Sequence, residues 1–158
     1  MRSALLCCGA ALLIAAGMPA SAAGETPLGR WLAPDAAQHT VSTIELYLEG
    51  NELAGRVVEV VDRDGRPLAG ICARCPDELR GRPIAGMRFL WGLHEKDGRW
   101  TGGKVIDLRD GLTQGVIANA DLEIDGDRLT LHAYLGVRAL GQSRTWRRAG
   151  VAAVDAPR

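Results

Sequence analysis

The feature that most constrains the fold is an alternation of apolar and polar residues that recurs from residue 40 to residue 149. It is clearest over residues 43–49 (TIELYLE), where isoleucine and leucine occupy every second position. A period of two is typical of β-strands with one buried face. Glycine-containing turns interrupt the alternation, and Asp97-Gly98 is a strong hairpin signal because a two-residue turn requires positive φ. The pattern predicts about eight strands joined mostly by short turns.

Sequential hairpins of this kind favour an up-and-down meander, which avoids exposed edge strands by closing into a barrel. An outer-membrane barrel would need lipid-facing apolar residues and aromatic girdles at both rims. The sequence has four Trp, two Tyr and one Phe, and it places charged residues such as Arg56, Glu59 and Arg144 within predicted strands. We therefore predict an all-β fold, a single antiparallel β-barrel that does not span a membrane.

One long segment does not fit the alternation. Residues 63–82 are rich in glycine, proline and charge, and we expect at most one helical turn there, near residues 76–79. Beyond this segment, strands are predicted over residues 83–93 and 112–124, among others. No room remains after the last strand for a long C-terminal helix.

The N-terminal residues are typical of a secretory signal peptide. Arg2 supplies a positive charge, residues 4–16 form an apolar run that is short for a bilayer span, and Ala20-Ser21-Ala22 is a cleavage site of the A-x-A type. We expect a signal peptide over residues 1–22, a barrel domain over residues 24–149 and a disordered tail over residues 150–158. The protein is then periplasmic or secreted.

Charge excludes several classes of function. Basic and acidic residues balance at 19 each, and like charges form no block. A nucleic-acid groove or a patch for anionic membranes requires clustered Lys and Arg, so both are disfavoured. Patterns typical of phosphate loops, zinc proteases and serine hydrolases are absent from the sequence. We expect a protein that is not an enzyme, with no catalytic residue, cofactor or metal ion.

The sharpest local motif is the C-x-x-C pair formed by Cys72 and Cys75. In an oxidising compartment a disulfide is its simplest outcome, and this disulfide would staple the irregular segment. A redox role is the alternative, since C-x-x-C can lower a thiol pKa. The βαβ unit that carries this motif in thioredoxins is not predicted here. A zinc site needs four ligands, and the motif supplies two.

Tryptophan and arginine mark the two ends of the predicted barrel, at residues 29–31 (GRW) and 145–148 (TWRR). Because side chains alternate along a strand, the second of the two terminal arginines shares a face with the tryptophan before it. We expect Arg148 to lie across the indole of Trp31 and to close the barrel by a cation–π contact. Gly29 lets the backbone turn into the first strand and lets the arginine approach. The pattern resembles the signature of lipocalin-like (calycin) barrels.

Several longer stretches add a second resemblance. They are residues 80–86 (RGRPIAG), 100–107 (WTGGKVID), 129–136 (LTLHAYLG) and 140–148 (LGQSRTWRR). With the Gly-x-Trp before them, their order and spacing resemble the DUF2147 family of exported bacterial proteins. The resemblance implies a lipocalin-like barrel with no established activity. Relatives tend to have proline where Leu108 stands and tyrosine near Gln114, so a pocket lined by that tyrosine in relatives would bind a different molecule here, or none.

Three aromatic residues are candidate ligand-binding residues: Trp91, Trp100 and Tyr134. Trp91 and Trp100 flank the Asp97-Gly98 turn and are expected to face each other across two strands. Cross-strand aromatic pairs pack by default, although ligand-binding mouths are also lined by aromatic residues. The pair Gly102-Gly103 suggests a bulge, or a side chain laid over bare backbone.

These features leave three hypotheses for the function. An eight-stranded barrel either holds one ligand or fills with side chains. The first hypothesis is therefore a protein that binds a small apolar molecule in the barrel or at its mouth. The second is a structural or partner-binding envelope protein with a filled barrel. The third is a thiol–disulfide redox protein that uses Cys72 and Cys75.

Overall fold

A computed structural model describes residues 26–150 of the 158-residue chain. The signal peptide expected over residues 1–22 lies outside the described residues, and so does the tail after Gly150. The eight strands are β1 Gly29–Asp35, β2 Thr40–Glu49, β3 Glu52–Asp62, β4 Arg88–Lys96, β5 Arg99–Ile106, β6 Ile117–Asp125, β7 Arg128–Tyr134 and β8 Gln142–Arg148. Two one-turn 3-10 helices, Asp77–Leu79 and Arg138–Leu140, complete the secondary structure of this part of the chain. No helix within residues 26–150 has the length and hydrophobicity needed to cross a membrane.

All eight strands form one closed antiparallel sheet in chain order. Each strand pairs with its neighbours in sequence, and β1 also pairs with β8, where Trp31 is opposite Arg148. The predicted up-and-down β-barrel is confirmed. It could be predicted because each pairing except the last joins strands that are adjacent in the chain, so local hairpin signals determine nearly the whole order of the sheet.

The barrel has two unlike ends. At the first, which we call the hairpin end, two-residue turns join β2 to β3, β4 to β5 and β6 to β7. Strand β1 begins and strand β8 ends at this same end. Asp97 and Gly98 in the second of these turns both have positive φ, 53° and 75°, as the sequence predicts. At the other, the loop end, longer segments connect the strands: residues 36–39, 63–87, 107–116 and 135–141.

Two predicted strand starts are wrong, and both lie at the loop end. The strand predicted over residues 112–124 begins at Ile117, because residues 111–115 turn back and the Gly115 N–H donates to the carbonyl of Asp107 at 2.7 Å. The strand predicted over residues 83–93 covers Arg88–Lys96 instead. Pro83 forms a single isolated bridge to Ile71 and belongs to the long loop.

Side chains fill the barrel axis. A continuous apolar cluster contains at least one buried residue from every strand, together with residues of the long loops. Its strand members are Trp31, Ile44, Leu46, Leu53, Val57, Phe89, Leu90, Leu93, Val105, Ile106, Ala120, Leu122, Leu129, Leu131 and Trp146. Burial of such an apolar set is the main force that stabilises a fold of this size.

Candidate functional site

The barrel closes at the hairpin end through Trp31 and Arg148. Trp31 is fully buried, and the guanidinium carbon of Arg148 lies 4.3 Å from the centroid of its ring, within cation–π distance. Gly29, two residues earlier, has a φ of 108°, so the turn into β1 requires glycine. A Cβ at this position would lie 3.9 Å from Nη1 of Arg148, an ordinary contact. The backbone conformation therefore explains the glycine, and the approach of the arginine does not.

The closing pair also holds the segment that precedes β1. The indole N–H of Trp31 donates to the carbonyl oxygen of Pro27 at 2.8 Å. Nη1 and Nη2 of Arg148 donate to the carbonyl oxygens of Leu28 and Thr26, at 3.2 and 2.8 Å. Three hydrogen bonds from buried or partly buried side chains thus fix residues 26–28 against the end of the barrel.

An open cleft of about 820 Å³ lies beside this segment at the hairpin end. Its lining is contributed by residues 26–28 and by strands from all three hairpins: Thr26, Pro27, Leu28, Leu48, Glu95, Gly98, Trp100, Ile124, Asp125 and Gly126. The volume falls within the range of about 300–1,000 Å³ that is usual for small-molecule sites.

The apolar wall of the cleft is the outermost layer of the barrel's inward face. Along β2, Leu46 is 1% exposed, whereas Leu48, the next residue on the same face, is 47% exposed. Along β6, Leu122 is fully buried and Ile124 is only partly so. The alternation that builds the core therefore continues beyond the last packed layer and presents apolar side chains to the cleft.

Trp100 lines the cleft, but Trp91 does not. The expectation that the two rings face each other is wrong, because Trp100 is opposite Glu95 in the sheet and Trp91 is opposite Lys104. Trp91 is half-buried, with the guanidinium carbon of Arg88 5.9 Å from the centroid of its ring.

Two glycines explain why the side chains of Trp91 and Trp100 do not face each other. Gly92 in β4 and Gly102 in β5 both have positive φ, 72° and 78°, and the β5–β6 register shifts between Trp100 and Gly103. These irregularities interrupt the alternation of faces between the two tryptophans. Gly103 also lies under a side chain, since a Cβ there would be 2.4 Å from Cγ of Leu93. Both alternatives considered for Gly102-Gly103 are therefore present.

Tyr134 lies far along the barrel from Trp100. It is the last residue of β7, at the loop end, and its ring centroid lies 5.7 Å from that of His132. The three candidate aromatic residues therefore do not form one site. Of the three, Trp100 contributes to the hairpin-end cleft.

Comparison with known proteins identifies the family. A family model described as "Uncharacterized protein conserved in bacteria (DUF2147)" matches residues 29–148. The chain belongs to the DUF2147 family. The match begins and ends at Gly29 and Arg148, the residues that flank the closure of the barrel. No curated protein shows significant similarity to the sequence of this DUF2147 protein.

A solved structure shares the fold of this DUF2147 protein. It is that of protein HP1028 from the human pathogen Helicobacter pylori, which is described as belonging to the lipocalin family. The similarity has a TM-score of 0.64 and covers 77% of this chain and 81% of that chain, at 21% sequence identity. This likeness confirms the lipocalin-like barrel that the sequence predicts.

At the loop end of the DUF2147 barrel, Cys72 and Cys75 form a disulfide, and both residues are fully buried. The backbone around them is tied to the other arm of the same loop. The Cys72 N–H donates to the carbonyl of Arg82 at 3.0 Å, and the Gly81 N–H donates to the carbonyl of Cys72 at 2.8 Å. The disulfide therefore staples the irregular segment and contributes to the core beneath it.

Gln114 connects the β5–β6 loop to the disulfide segment. Its side chain is buried: Oε1 accepts from the N–H of Arg74 at 3.1 Å, and Nε2 donates to the carbonyl of Ile71 at 3.4 Å. At Gly115, a Cβ would lie 2.2 Å from the carbonyl oxygen of Arg74, so the two segments pack backbone to backbone. Gln114 therefore bridges two loops in this protein, and Leu108 is part of the core.

Asp107 anchors the same β5–β6 loop. Its carboxylate accepts hydrogen bonds from the backbone and side chain of Arg109 and from the hydroxyl of Thr113, at 2.6–3.0 Å. Burial alone would raise the pKa of Asp107, but the hydrogen bonds from Arg109 and Thr113 outweigh it and hold this pKa below its ordinary value. The hydrogen bond to the Asp107 carboxylate in turn raises the pKa of the Arg109 guanidinium.

A small polar groove of about 200 Å³ on β6–β8 contains His132, which sequence reasoning left unassigned. Nε2 of His132 lies 2.8 Å from the carbonyl oxygen of Arg138, and Nδ1 lies 2.9 Å from Oγ of Ser143. Because a carbonyl can only accept, Nε2 donates and Nδ1 accepts from the serine when the imidazole is neutral. The imidazole also packs closely against Gly141, where a Cβ would lie 2.6 Å from Nε2 of His132. The histidine thus holds the β7–β8 loop through hydrogen bonds within the protein.

Within the described part of the DUF2147 chain, no three His, Cys, Asp or Glu side chains converge in a way that could hold a metal ion.

Proposed function

We propose that this DUF2147 protein binds a small, mainly apolar molecule in the hairpin-end cleft. The observation that supports the proposal is the layer formed by Leu48, Trp100 and Ile124, which lines the cleft and is only partly buried by the rest of the described chain. A molecule that covers this layer removes apolar surface from water, which stabilises the complex by about 25 cal/mol per Å². Because side chains fill the barrel axis, the mouth and not the interior is the place for a ligand.

We also infer that the protein is exported. The signal-peptide pattern supports this, and a disulfide between Cys72 and Cys75 is the state expected in an oxidising compartment. Fractionation of the native bacterium should recover the protein outside the cytoplasm with Ala23 as its N-terminal residue. Recovery from the cytoplasm with residues 1–22 still attached would contradict the inference.

Nile red, a neutral apolar dye whose fluorescence increases in apolar surroundings, tests the binding site. The purified exported protein should bind the dye, and Trp100→Ala should weaken binding about tenfold, because an aromatic wall of the cleft is lost. Trp91→Ala is the matched control, since it removes a tryptophan of the neighbouring strand outside the cleft, and we expect it to leave the affinity unchanged. Circular dichroism checks that both variants remain folded.

Two outcomes would contradict the proposal. In the first, the wild-type protein does not bind Nile red or any co-purifying molecule visible by native mass spectrometry. In the second, Trp91→Ala and Trp100→Ala weaken dye binding equally, which would place the dye elsewhere on the protein.

Partner binding at the loop end is a second candidate function. Leu112 is 87% exposed in the β5–β6 loop and Leu140 is 81% exposed in the β7–β8 loop. The two loops are neighbours around the barrel because β6 pairs with β7. Exposed apolar side chains on neighbouring loops favour a protein contact. Crosslinking in cells should then capture an envelope protein in stoichiometric amount. The double variant Leu112→Asn with Leu140→Asn should no longer capture this protein, whereas the control Leu48→Asn should still do so. Equal capture by the double variant and the control would exclude these loops.

A redox function has less support. Both sulfur atoms belong to fully buried residues, whereas thiol–disulfide exchange requires an accessible sulfur. Alkylation after mild reduction of the folded protein should therefore modify neither cysteine. Rapid modification of Cys72 or Cys75 would favour the redox hypothesis.

A further inference from the structure

The charge of the hairpin-end cleft points to a class of ligand, if the cleft is the binding site proposed above. Of the described residues that line it, Glu95 and Asp125 are acidic and none is basic. They come from two different hairpins, β4–β5 and β6–β7. A site with this lining attracts positive charge and repels negative charge.

These two carboxylates differ from several of their neighbours at the same end of the barrel, although not from Asp97 in the β4–β5 turn. Four others pair with a basic side chain within 4 Å: Glu49 with Arg88, Glu52 with His94, Glu123 with Arg99 and Asp127 with Arg148. Within residues 26–150, neither Glu95 nor Asp125 has an ion pair or a side-chain hydrogen bond. Glu95 is opposite Trp100 in the sheet, whereas Asp125 is opposite Arg128 and alternates with the inward-facing Ile124. Glu95 therefore supplies most of the negative charge that is directed into the cleft.

Arg148 holds residues 26–28 at the edge of the cleft, and its guanidinium is engaged within the protein. Its guanidinium lies on Trp31 and donates to the carbonyls of Thr26 and Leu28, and its side chain is 16% exposed. It contributes to the wall through the backbone it holds and does not line the cleft.

Glu95 and Trp100 are direct partners across the β4–β5 hairpin. Directly opposed side chains have Cβ atoms about 4.5–5.5 Å apart, so one ligand group can contact both. A carboxylate beside an indole is complementary to an ammonium group, which the carboxylate attracts by its charge and the ring by its quadrupole. Leu28, Leu48 and Ile124 offer apolar surface to the rest of the molecule.

We propose that the hairpin-end cleft selects small amphipathic cations, with the apolar part of the ligand against Leu48 and Ile124 and the cationic group against Glu95 and Trp100. The inference rests on the proposed function, because the cleft supplies the site and the carboxylates supply its charge preference.

Three ten-carbon probes separate charge from apolarity: decyltrimethylammonium, decanol and decanoate, each added below its micelle concentration to displace Nile red from the exported protein. The cation should displace the dye at a concentration about tenfold lower than decanoate, as expected for one partly exposed ion pair together with one cation–π contact. In the double variant Glu95→Gln with Asp125→Asn, this ratio should fall to about threefold or less, while displacement by decanol is unchanged.

Asp97→Asn is the matched control. Asp97 lies on the same hairpin and carries the same charge, but it does not line the cleft, and asparagine tolerates its positive φ of 53°. The preference for the cation should survive this substitution, and it should weaken when salt is added.

The possible failures are distinguishable. If Nile red does not bind, or binds without regard to Trp100, the proposed function fails and the inference with it. If dye and decanol bind in the cleft but decanoate binds as tightly as the cation, the inference is overturned while the proposed function stands. Persistence of the preference in the double variant would equally overturn the assignment to Glu95 and Asp125.

Discussion

The two ends of the barrel are held together by different kinds of contact. At the hairpin end, two-residue turns determine the strand order, and the cation–π pair of Trp31 and Arg148 reinforces the backbone pairing of the first strand with the last. At the loop end, long connections are held by a buried disulfide, the amide of Gln114 and the carboxylate of Asp107. The hairpin end leaves an apolar layer open to solvent, whereas at the loop end long segments pack on one another over the core.

This difference separates stability from binding. Of the two ends of this barrel, the loop end is covered by long segments that pack on the core. Within residues 26–150, the end built from short turns is flanked only by the short segment of residues 26–28, and its outermost inward-facing residues stay partly exposed. Substitutions can therefore test the two ends independently.

The largest expected effect is at the closure. Trp31→Ala should lower the free energy of unfolding by about 3–5 kcal/mol, because a fully buried indole and its contact with Arg148 are lost. Urea denaturation measures the effect. Trp91→Ala, at a half-buried tryptophan outside the closure, should cost about 1 kcal/mol. Equal losses in the two variants would mean that the closing pair has no special role.

The next effect is at the loop end. Replacement of Cys72 and Cys75 together by alanine should lower the free energy of unfolding by about 2 kcal/mol, the chain-entropy value for so short a loop. Reduction of the wild-type protein under denaturing conditions before refolding should give a similar loss. Nile red binding at the opposite end should stay unchanged; a parallel loss of dye binding would show that the two ends are coupled.

A smaller, pH-dependent effect is expected from Asp107→Asn. The folded-state pKa of Asp107 is lowered from the ordinary 3.8, so its carboxylate stabilises the fold above that pH and ceases to do so as the pH falls through the folded-state pKa. At pH 7 the variant should be less stable by about 1 kcal/mol, a value discounted for the partial exposure of Arg109. The difference between wild type and variant should shrink below about pH 4. A difference that is the same at pH 7 and pH 2.5 would contradict this account of the network.

The smallest effect on stability is expected within the cleft. Leu48→Asn should change the free energy of unfolding by about 0.5 kcal/mol or less, because this leucine is largely exposed, yet it should weaken Nile red binding. Leu46→Ala, two residues earlier on the same face and fully packed, should cost about 2–5 kcal/mol. A large loss of stability in Leu48→Asn would mean that the layer facing the cleft is part of the core.

The sequence predicts the hairpin end better than the loop end, and the reason is physical. Turn residues such as Asp97 and Gly98 favour a positive φ because of their own chemical structure, and the alternation along a strand can be read without knowing its partner strand. The hydrogen bonds of Gln114 to Arg74 and Ile71 join residues 40 and 43 positions apart, and no local pattern reports them. The strand start predicted at residue 112 is wrong for this reason, because tertiary contacts turn the backbone there.

Within the cleft, sequence reasoning selects Trp100 but not its surroundings. Alternation alone places Trp91 on the wrong side, because the positive φ of Gly92 cannot be read from the glycine itself. Glu95 and Leu48 belong to the site through their position at the end of the inward face, which is visible only when the hairpins are assembled. A signal for Glu95 was nevertheless present, since the Asp97-Gly98 turn sets it opposite Trp100.

The pairing of β1 with β8 also has a consequence for synthesis. The sheet cannot close until residue 148 is available to pair with Trp31, so every shorter folded form exposes the edge of β1 and the edge of its last strand. Sealing is then one late event between distant parts of the chain, which slows it. Until that moment the protein is most exposed to mispairing with another copy, and an early stop a few codons before Arg148 leaves it in that condition permanently.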